Sequence, residues 1–241
     1  SVVDLGCGAG SNLRGTFAAL PDRQTWRLVD YDPRLLAAAR QRLAAWADIT
    51  TSDGDRLLLR KGGKAIAVDF HQADLNRNLA DAIPRDAGLV TAAALFDLVS
   101  PDWIGRFVAV LQARRLPLYT VLTYNGTESW DPPHPDDAAM LAAFHAHQGT
   151  DKGFGPAAGP RATAIMAEAF AAAGYEVARA ESPWRLGAEF VTLSRELVTG
   201  FAGAVRETGR VAPERIDDWL AARRAGVTCL VGHEDLFAMP A

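Results

Sequence analysis

The chain has 241 residues, of which 49 % are hydrophobic and 22 % charged, so it is long enough and apolar enough to bury a sizeable core. A formal net charge of -4 argues against a nucleic-acid partner, because phosphates favour a basic protein surface. Two cysteines, Cys7 and Cys229, are too few for a disulfide framework or a cysteine-rich zinc site. No apolar run is long enough to cross a bilayer and no signal peptide is recognisable. We therefore expect a cytoplasmic protein with no membrane partner and no metal.

The first half of the chain alternates between two kinds of hydrophobic pattern. Short apolar runs predict strands, and longer periodic runs predict helices. The predicted strands lie at 1–5, 26–30, 65–70, 89–95 and 116–124, and the predicted helices at 11–20, 33–47 and 102–113. The polar stretch 50–63 predicts a loop or the tip of a hairpin. Alternating strands and helices are typical of a parallel sheet that is covered on both faces.

The second half of the chain begins with an irregular stretch, 125–160, that contains five prolines and five glycines. A short helix at 136–147 interrupts it. The turn-rich part at 147–160 has the character of a loop that covers a site. Regular patterns then predict the following elements: helix 162–173, strand 175–180, helices 188–208 and 213–225, and a last strand at 227–231.

A glycine-rich turn, Asp4-Leu5-Gly6-Cys7-Gly8-Ala9-Gly10, joins the first strand to the first helix. Glycines let the backbone turn sharply and approach a ligand closely, and free N–H groups at a helix start favour an anionic group. Asp30 ends the next strand, where a carboxylate can accept hydrogen bonds from ribose hydroxyls. The two features together predict a nucleotide-containing ligand.

The spacing of the glycines distinguishes between nucleotide classes. A dinucleotide fingerprint, G-x-G-x-x-G, requires a third glycine at position 11, which is Ser11. The chain has D-x-G-x-G-x-G instead, and Asp4 to Gly10 resembles motif I of the class I S-adenosylmethionine (SAM)-dependent methyltransferases. Val29-Asp30-Tyr31-Asp32-Pro33 is similar to the second motif of that family. Gln72-Ala73-Asp74-Leu75 is similar to its third motif, and 89–99 to its fourth.

The resemblance covers 1–124 and implies an architecture. It implies an α/β, doubly wound, mostly parallel seven-stranded sheet of order 3-2-1-4-5-7-6, with the last strand antiparallel. We expect one domain over 1–241, with a cofactor half at about 1–124. Insertions at about 125–160 and 184–225 would form a cap over the substrate. The implied cofactor is SAM, which leaves as S-adenosylhomocysteine.

The resemblance also implies which residues bind the cofactor. Asp4 would order the glycine turn, Asp30 would bind the ribose, and Asp74 would accept a hydrogen bond from the adenine amino group. Tyr31 has an alternative interpretation as an exposed loop residue, and Asp74 as a cap for a helix beginning at Asn76. The full implied set is Asp4, Gly6, Cys7, Gly8, Gly10, Asp30, Tyr31, Asp74, Leu75, Ala92 and Ala93.

The acceptor side of the site is less defined by sequence. Four aromatic residues at 124–160 either wall a substrate pocket or form the core of the insertion: Tyr124, Trp130, Phe144 and Phe154. Methyl transfer needs no fixed base, so the catalytic residue stays unassigned, with His145, His147 and Tyr124 as candidates. The two histidines are two positions apart on a helix and should point to different sides, which argues against a shared metal.

The segment Asp131-Pro132-Pro133-His134 has a partial likeness to the motif of amino-methylating enzymes. That motif belongs after the fourth strand, so we interpret this segment as a proline-rich loop. The sequence therefore predicts an enzyme that transfers a methyl group to oxygen or nitrogen of a small molecule by in-line displacement. Three alternatives stay open: an RNA or protein methyltransferase, a SAM-binding module without catalysis, and a nicotinamide oxidoreductase. The oligomeric state is not predicted.

Overall fold

A computed structural model describes residues 1–224 and 228–241 as one ten-stranded sheet with helices on both faces. The strands are β1 (Val2–Leu5), β2 (Arg23–Asp30), β3 (Ile49–Asp53), β4 (Arg56–Lys61), β5 (Lys64–Gln72), β6 (Leu89–Ala93), β7 (Leu118–Asp131), β8 (Tyr175–Glu181), β9 (Trp184–Leu186) and β10 (Thr228–Pro240). The helices are α1 (Ser11–Thr16), α2 (Pro33–Trp46), α3 (Leu79–Ala82), α4 (Pro101–Arg114), α5 (Asp137–Gln148), α6 (Ala162–Ala172), α7 (Val191–Thr208) and α8 (Pro213–Arg224). None of these helices is both long enough and apolar enough to cross a membrane.

The ends of the helices follow local capping chemistry. Asp32 precedes α2 and its side chain accepts a hydrogen bond from the backbone N–H of Arg34. Ser100 precedes α4 and accepts from the backbone N–H of Trp103 at 3.2 Å. A proline occupies the first position of both helices, where its missing N–H is not needed. These residues explain why the predicted helix starts lie close to the observed ones.

The strand order of the sheet is β3-β4-β5-β2-β1-β6-β7-β10-β8, and β9 pairs with β10. The seven strands expected from sequence are β1, β2, β5, β6, β7, β8 and β10, and their order in the sheet is the expected 3-2-1-4-5-7-6. β1 lies parallel to both β2 and β6, while β10 lies antiparallel to β7 and to β8. The order reverses between β1 and β6, and ligands bind at such a switch point in open α/β sheets.

The prediction of seven strands was wrong in number, because β3, β4 and β9 also belong to the sheet. The polar segment 50–63 contributes most of a hairpin that extends the edge, with Ile49 opposite Arg60 and β4 antiparallel to β5. All five residues of β3 are exposed. An edge strand of this kind has no alternation of apolar and polar residues to mark it.

Two predicted strands were too short. β7 continues to Asp131 instead of ending at 124, and β10 continues to Pro240 instead of ending at 231. The two strands pair over this length, but the register shifts between Val231 and His233 and again between Glu234 and Leu236. Such irregularities interrupt the two-residue alternation, so the sequence resembles loops there. The predicted end of a helix at 225 and start of a strand at 227 lie outside the described residues.

Within the described residues, the buried apolar side chains form three clusters. One lies between the central strands and α4 and α6, and a second lies between α2 and the β4-β5-β2 region. The third joins α5, α7 and α8 to the far ends of β7 and β10, with Trp130 and Trp219 at its centre. We propose that 1–241 is one domain in which this third cluster forms the core of the cap.

Replacing Phe107 with alanine should destabilise the central cluster. Phe107 is fully buried and stacks on Trp103, with ring centroids 5.5 Å apart and planes 8° apart. Removing a buried phenylalanine ring costs about 3–5 kcal/mol of unfolding free energy. Urea denaturation should show this loss for Phe107→Ala and a loss of about 1 kcal/mol or less for Phe237→Ala, whose ring is 37 % exposed. Equal losses in the two variants would contradict the packing described here.

Candidate functional site

The glycine turn between β1 and α1 adopts a backbone conformation that glycine alone tolerates well. Gly6, Gly8 and Gly10 have φ angles of +62°, +52° and +75°. A Cβ on Gly6 would meet Leu95 at 3.3 Å, and one on Gly10 would meet Leu43 at 3.3 Å. A Cβ on Gly8 would meet nothing within 4 Å. Gly8 is thus the glycine of the turn that borders open space.

Asp30 ties the end of β2 to the glycine turn. One carboxylate oxygen accepts a hydrogen bond from the Gly8 N–H at 2.8 Å, and the other accepts from the Asp32 N–H at 3.0 Å. The residue is 9 % exposed and lines a cleft. Each carboxylate oxygen has a second lone pair, so the side chain can hold the turn and still accept hydrogen bonds from a ligand.

Asp4 is fully buried beneath the turn. Its Oδ1 accepts a hydrogen bond from the Asn12 amide at 2.7 Å, and the same amide donates to the Thr91 hydroxyl at 3.0 Å. This network joins β1, α1 and β6. Oδ2 of Asp4 has no hydrogen-bond partner among the described residues. Burial raises the pKa of the Asp4 carboxyl to about 7.

A cleft of about 360 Å³ opens beside the turn at the carboxyl ends of the parallel strands. It lies at the switch point of the sheet, where ligands bind in open α/β folds. Its lining combines residues from the predicted cofactor half with a short segment from the cap region. The lining residues are Gly6, Asp30, Tyr31, Ala73, Asp74, Leu75, Leu95, Lys152, Gly153 and Phe154.

Several predicted cofactor residues do not line this cleft. Asp4, Cys7 and Gly10 are buried in or under the turn, and Gly8, although it borders open space, is not among the lining residues either. Ala92 is fully buried and pairs with Leu5 of β1, and Ala93 pairs with Val121 of β7. Leu95, two residues further along, occupies the cleft wall in this region.

Tyr31 and Asp74 both line the cleft, and only Tyr31 also fits its alternative interpretation. Tyr31 is 71 % exposed, as expected of a loop residue. Asp74 Oδ1 accepts a hydrogen bond from the Asn76 N–H at 2.9 Å, which is a local turn bond. No helix begins at Asn76, because α3 starts at Leu79. Both side chains nevertheless line the cleft, so each remains available to a ligand.

A loop from the cap region closes one side of the cleft, and we call residues 151–155 the strap. The Asn76 amide donates to the Gly153 carbonyl at 2.9 Å. Asp151 Oδ1 accepts from the N–H groups of Gly153 and Gly155 at 2.7 and 2.9 Å. The sequence predicts a covering loop at 147–160, but it does not single out Lys152 and Gly153 as lining residues. The sequence feature that could have identified this wall of the cleft is the high density of glycines in the segment.

The four aromatic residues considered for a substrate pocket separate into two groups. Phe154 lines the cleft and packs edge-on against Trp103, with ring centroids 5.5 Å apart. Trp130 contacts Trp219 edge-on, and Phe144 stacks on Phe201 at 4.3 Å. Tyr124, Trp130 and Phe144 all belong to the third buried cluster, which agrees with the second interpretation, a core of the insertion.

The three candidates for a general base also separate. Tyr124 Oη and His145 Nε2 are 3.1 Å apart, and burial raises the pKa of the phenol. Burial lowers the pKa of His145, against a smaller effect of a hydrogen bond to the Gly126 backbone. His147 instead contacts Glu207 Oε2 at 2.9 Å. The two histidines thus point to different sides of α5, as predicted.

Two further features of the sequence have structural roles. The segment Asp131 to His134 lies between β7 and α5, and the His134 N–H donates to Asp137 at 2.8 Å. It follows β7, whereas an amino-methylating motif would follow β6, the fourth of the expected strands. Within the part of the chain that the structure describes, no group of three or more histidine, cysteine or acidic side chains is arranged to hold a metal ion.

Comparison with known proteins identifies the architecture. No protein-family model and no curated protein sequence matches the chain. A solved structure of a cyclopropane-fatty-acyl-phospholipid synthase-like protein from Lactobacillus casei ATCC 334 does match, with a TM-score of 0.55 and 12 % identity over 97 % of this chain and 83 % of that chain. The chain has a Rossmann-like methyltransferase fold. At this level of identity the likeness establishes the fold, and the activity has to be argued from the cleft.

Other solved structures align over the whole chain with lower TM-scores. Geranyl diphosphate C-methyltransferase from Streptomyces coelicolor A3(2) has a TM-score of 0.45 and 11 % identity over 100 % of this chain and 71 % of that chain. An arsenic(III) S-adenosylmethionine methyltransferase from Chlamydomonas reinhardtii has a TM-score of 0.45 and 13 % identity over 100 % of this chain and 63 % of that chain.

The buried Asp4 carboxyl should make the stability of the methyltransferase fold depend on pH. Its pKa is raised from 3.8 to about 7, so the folded protein holds this proton where the unfolded chain has released it. The resulting stabilisation is lost as pH rises from about 4 to about 7. Asp4→Asn cannot ionise, so urea denaturation should show its stability improving relative to the native protein from pH 5 to pH 8.

The exposed Asp55→Asn is the matched control for this measurement, and its stability relative to the native protein should not change with pH in this way. Other buried carboxyls are common to all three proteins and cancel in the comparison. A stability difference for Asp4→Asn that is the same at pH 5 and pH 8 would show that this carboxyl is ionised in the folded protein at both values.

Proposed function

We propose that this chain is an enzyme that binds SAM in the cleft and transfers its methyl group to oxygen or nitrogen of a small molecule. The observation that carries the proposal is the position of Asp30. Its carboxylate ends β2 at the switch point, holds the Gly8 N–H and faces the cleft. A nucleoside with free ribose hydroxyls is the ligand that such a carboxylate binds in doubly wound folds.

The cleft residues fit SAM by their donors, acceptors and space. The open space beside Gly8 allows a ligand to approach the backbone of the turn. In this proposal Asp30 binds the ribose, Tyr31 and Leu75 contact the adenine, and Asp74 accepts from its amino group. Gly6 and Gly8 lie under the ribose and methionine portions. Asp4, Cys7, Gly10, Ala92 and Ala93 support the turn and the strand end from beneath and make no direct contact.

The remaining residues of the proposed site position the reactants and exclude water. Bound SAM supplies a methyl group that is activated by a positively charged sulfur. The strap, with Phe154 packed on Trp103, covers the cleft and keeps bulk water from the reacting atoms. Holding two reactants in line lowers the barrier without any covalent role for the protein. Tyr124, paired with His145, is our candidate for relaying a proton from the methyl acceptor: the phenol takes up that proton as it passes its own proton to His145 Nε2.

The first test is isothermal titration of the protein with S-adenosylhomocysteine, with NAD as the control ligand. We expect binding of S-adenosylhomocysteine alone, since Ser11 replaces the third glycine of a dinucleotide site. Binding of NAD alone would indicate an oxidoreductase and overturn the proposal. Binding of S-adenosylhomocysteine without methyl transfer to small molecules, RNA or protein would favour a SAM-binding module.

Asp30→Ala should weaken S-adenosylhomocysteine binding at least tenfold. The substitution removes hydrogen bonds between a charged group and the ribose, each contributing about 1.5–3 kcal/mol, and releases the Gly8 N–H. Titration calorimetry measures the change. Asp55→Ala, at an exposed position in the β3–β4 turn, is the control and should bind as the native protein does. Equal affinity in both variants would remove Asp30 from the cofactor site.

Gly8→Ala should abolish S-adenosylhomocysteine binding, because the added Cβ would stand in the space that the ligand occupies. The control is Gly209→Ala, which combines a similar φ of +63° with an equally open surrounding at the end of α7. Both variants incur the same backbone strain, so their unfolding free energies should fall by similar amounts. If Gly8→Ala retained the affinity of Gly209→Ala, the ligand would not lie against the turn.

A further inference from the structure

Asn76 lies outside the lining of the cleft, yet its hydrogen bonds reach two of the cleft's walls. Its backbone N–H donates to Asp74 Oδ1 at 2.9 Å, and its side-chain amide donates to the Gly153 carbonyl at 2.9 Å. Asp74 and Gly153 both line the cleft. Asn76 therefore joins the wall that is proposed to bind the adenine ring to the strap, although Gly153 is 77 positions further along the chain.

Arg106 on α4 determines which way the Asn76 amide faces. Its Nη2 donates to Asn76 Oδ1 at 2.8 Å, and its Nη1 donates to the backbone carbonyl of Asn76 at 3.4 Å. A guanidinium group has donors and no acceptor, so Oδ1 must face Arg106 and Nδ2 is left to face the strap. The position thus requires an acceptor and a donor on one short side chain, and asparagine supplies both.

Trp103, one turn before Arg106 on α4, contacts the same two walls. Its Nε1 donates to the Leu75 carbonyl at 3.2 Å, and its ring packs edge-on against Phe154 of the strap. Trp103 is fully buried, whereas Phe154 is half-buried and Gly153 is exposed. Helix α4 therefore holds both walls, through a fixed side chain in the core and a more exposed contact at the strap.

The bond between Asn76 and Gly153 attaches the strap to the opposite wall of the cleft. Among the described residues, it is the only hydrogen bond that joins the strap to 73–76. The other side-chain hydrogen bonds of the strap are internal, to Asp151, or lead to His147 on α5. Loops that cover a site open and close in microseconds to milliseconds, and the release of product often limits turnover. A single attachment of this kind can therefore set the rate at which a ligand leaves.

We propose that Asn76 is a positioning residue that holds the strap over the adenine end of the bound cofactor and thereby slows its release. The inference rests on the proposed function and adds a residue that does not itself touch the ligand. While Nδ2 holds the Gly153 carbonyl, the strap covers the adenine ring, and the Asn76 N–H keeps Asp74 in place for the adenine amino group. When the bond to Gly153 breaks, the strap moves away and the ligand leaves.

Asn76→Asp tests this assignment with almost no change in shape. Aspartate keeps an acceptor for Arg106, but an oxygen replaces the donor that faces the Gly153 carbonyl and repels it. We expect the dissociation rate of S-adenosylhomocysteine to rise at least tenfold with no fall in its association rate, because only the covered state loses a contact. Surface plasmon resonance with the full chain immobilised measures both rates. A slower association with an unchanged dissociation rate would overturn the inference.

Asn78→Asp is the matched control for this measurement. It introduces the same charge two positions further along, at an exposed side chain that makes no hydrogen bond among the described residues. Both of its rates should equal those of the native protein. If Asn78→Asp accelerated dissociation as much as Asn76→Asp, the added charge would account for the effect and the strap would not.

Hydrogen exchange separates a positioning role from a general loss of structure. With S-adenosylhomocysteine bound, the amide groups of 151–155 should exchange at least tenfold faster in Asn76→Asp than in the native protein. The amide groups of α4 and β6 should stay equally protected in both proteins. Faster exchange throughout these elements would indicate a merely structural role and contradict the proposal.

Arg106→Ala provides a second variant if Asn76→Asp does not fold. The position is exposed, so the substitution leaves the core intact, and without Arg106 the Asn76 amide can turn its oxygen toward the strap. We expect dissociation about threefold faster than in the native protein. Failure of S-adenosylhomocysteine to bind the native protein would refute the proposed function itself. Retained binding with an unchanged dissociation rate in the folded variants would refute the role of Asn76 alone.

Discussion

The hydrogen bond between the Asp30 carboxylate and the Gly8 N–H joins the residue proposed to bind the ribose to the glycine turn proposed to lie under the rest of the ligand. At 2.8 Å it connects the end of β2 to the glycine turn after β1. The turn can adopt its left-handed backbone because glycine has no Cβ, and the carboxylate then holds it in that conformation. From beneath, Asp4 and Asn12 connect the same turn to β6. The open space at Gly8 depends on these contacts.

Hydrogen bonds between distant segments also hold the strap in place. The strap reaches the cleft only because Asn76 holds the Gly153 carbonyl and Asp151 holds the N–H groups on either side of Phe154. Phe154 then packs on Trp103 in the central core. A loop rich in glycine becomes a defined wall through three hydrogen bonds and one aromatic contact. Ordering this loop costs conformational entropy, which these contacts must offset.

Local patterns in the sequence located the glycine turn and placed Asp30, Tyr31, Asp74 and Leu75 at or just after strand ends, and the family resemblance implied the order of the seven main strands. Tertiary structure alone decided the rest. Lys152 and Gly153 reach the cleft through a bond to Asn76, 77 positions away from Gly153 in the chain. His233 meets Tyr124 only after the register shifts of β10. Local patterns encode backbone conformation and burial, but contacts between distant segments depend on pairing register and loop closure, which no short window of sequence contains.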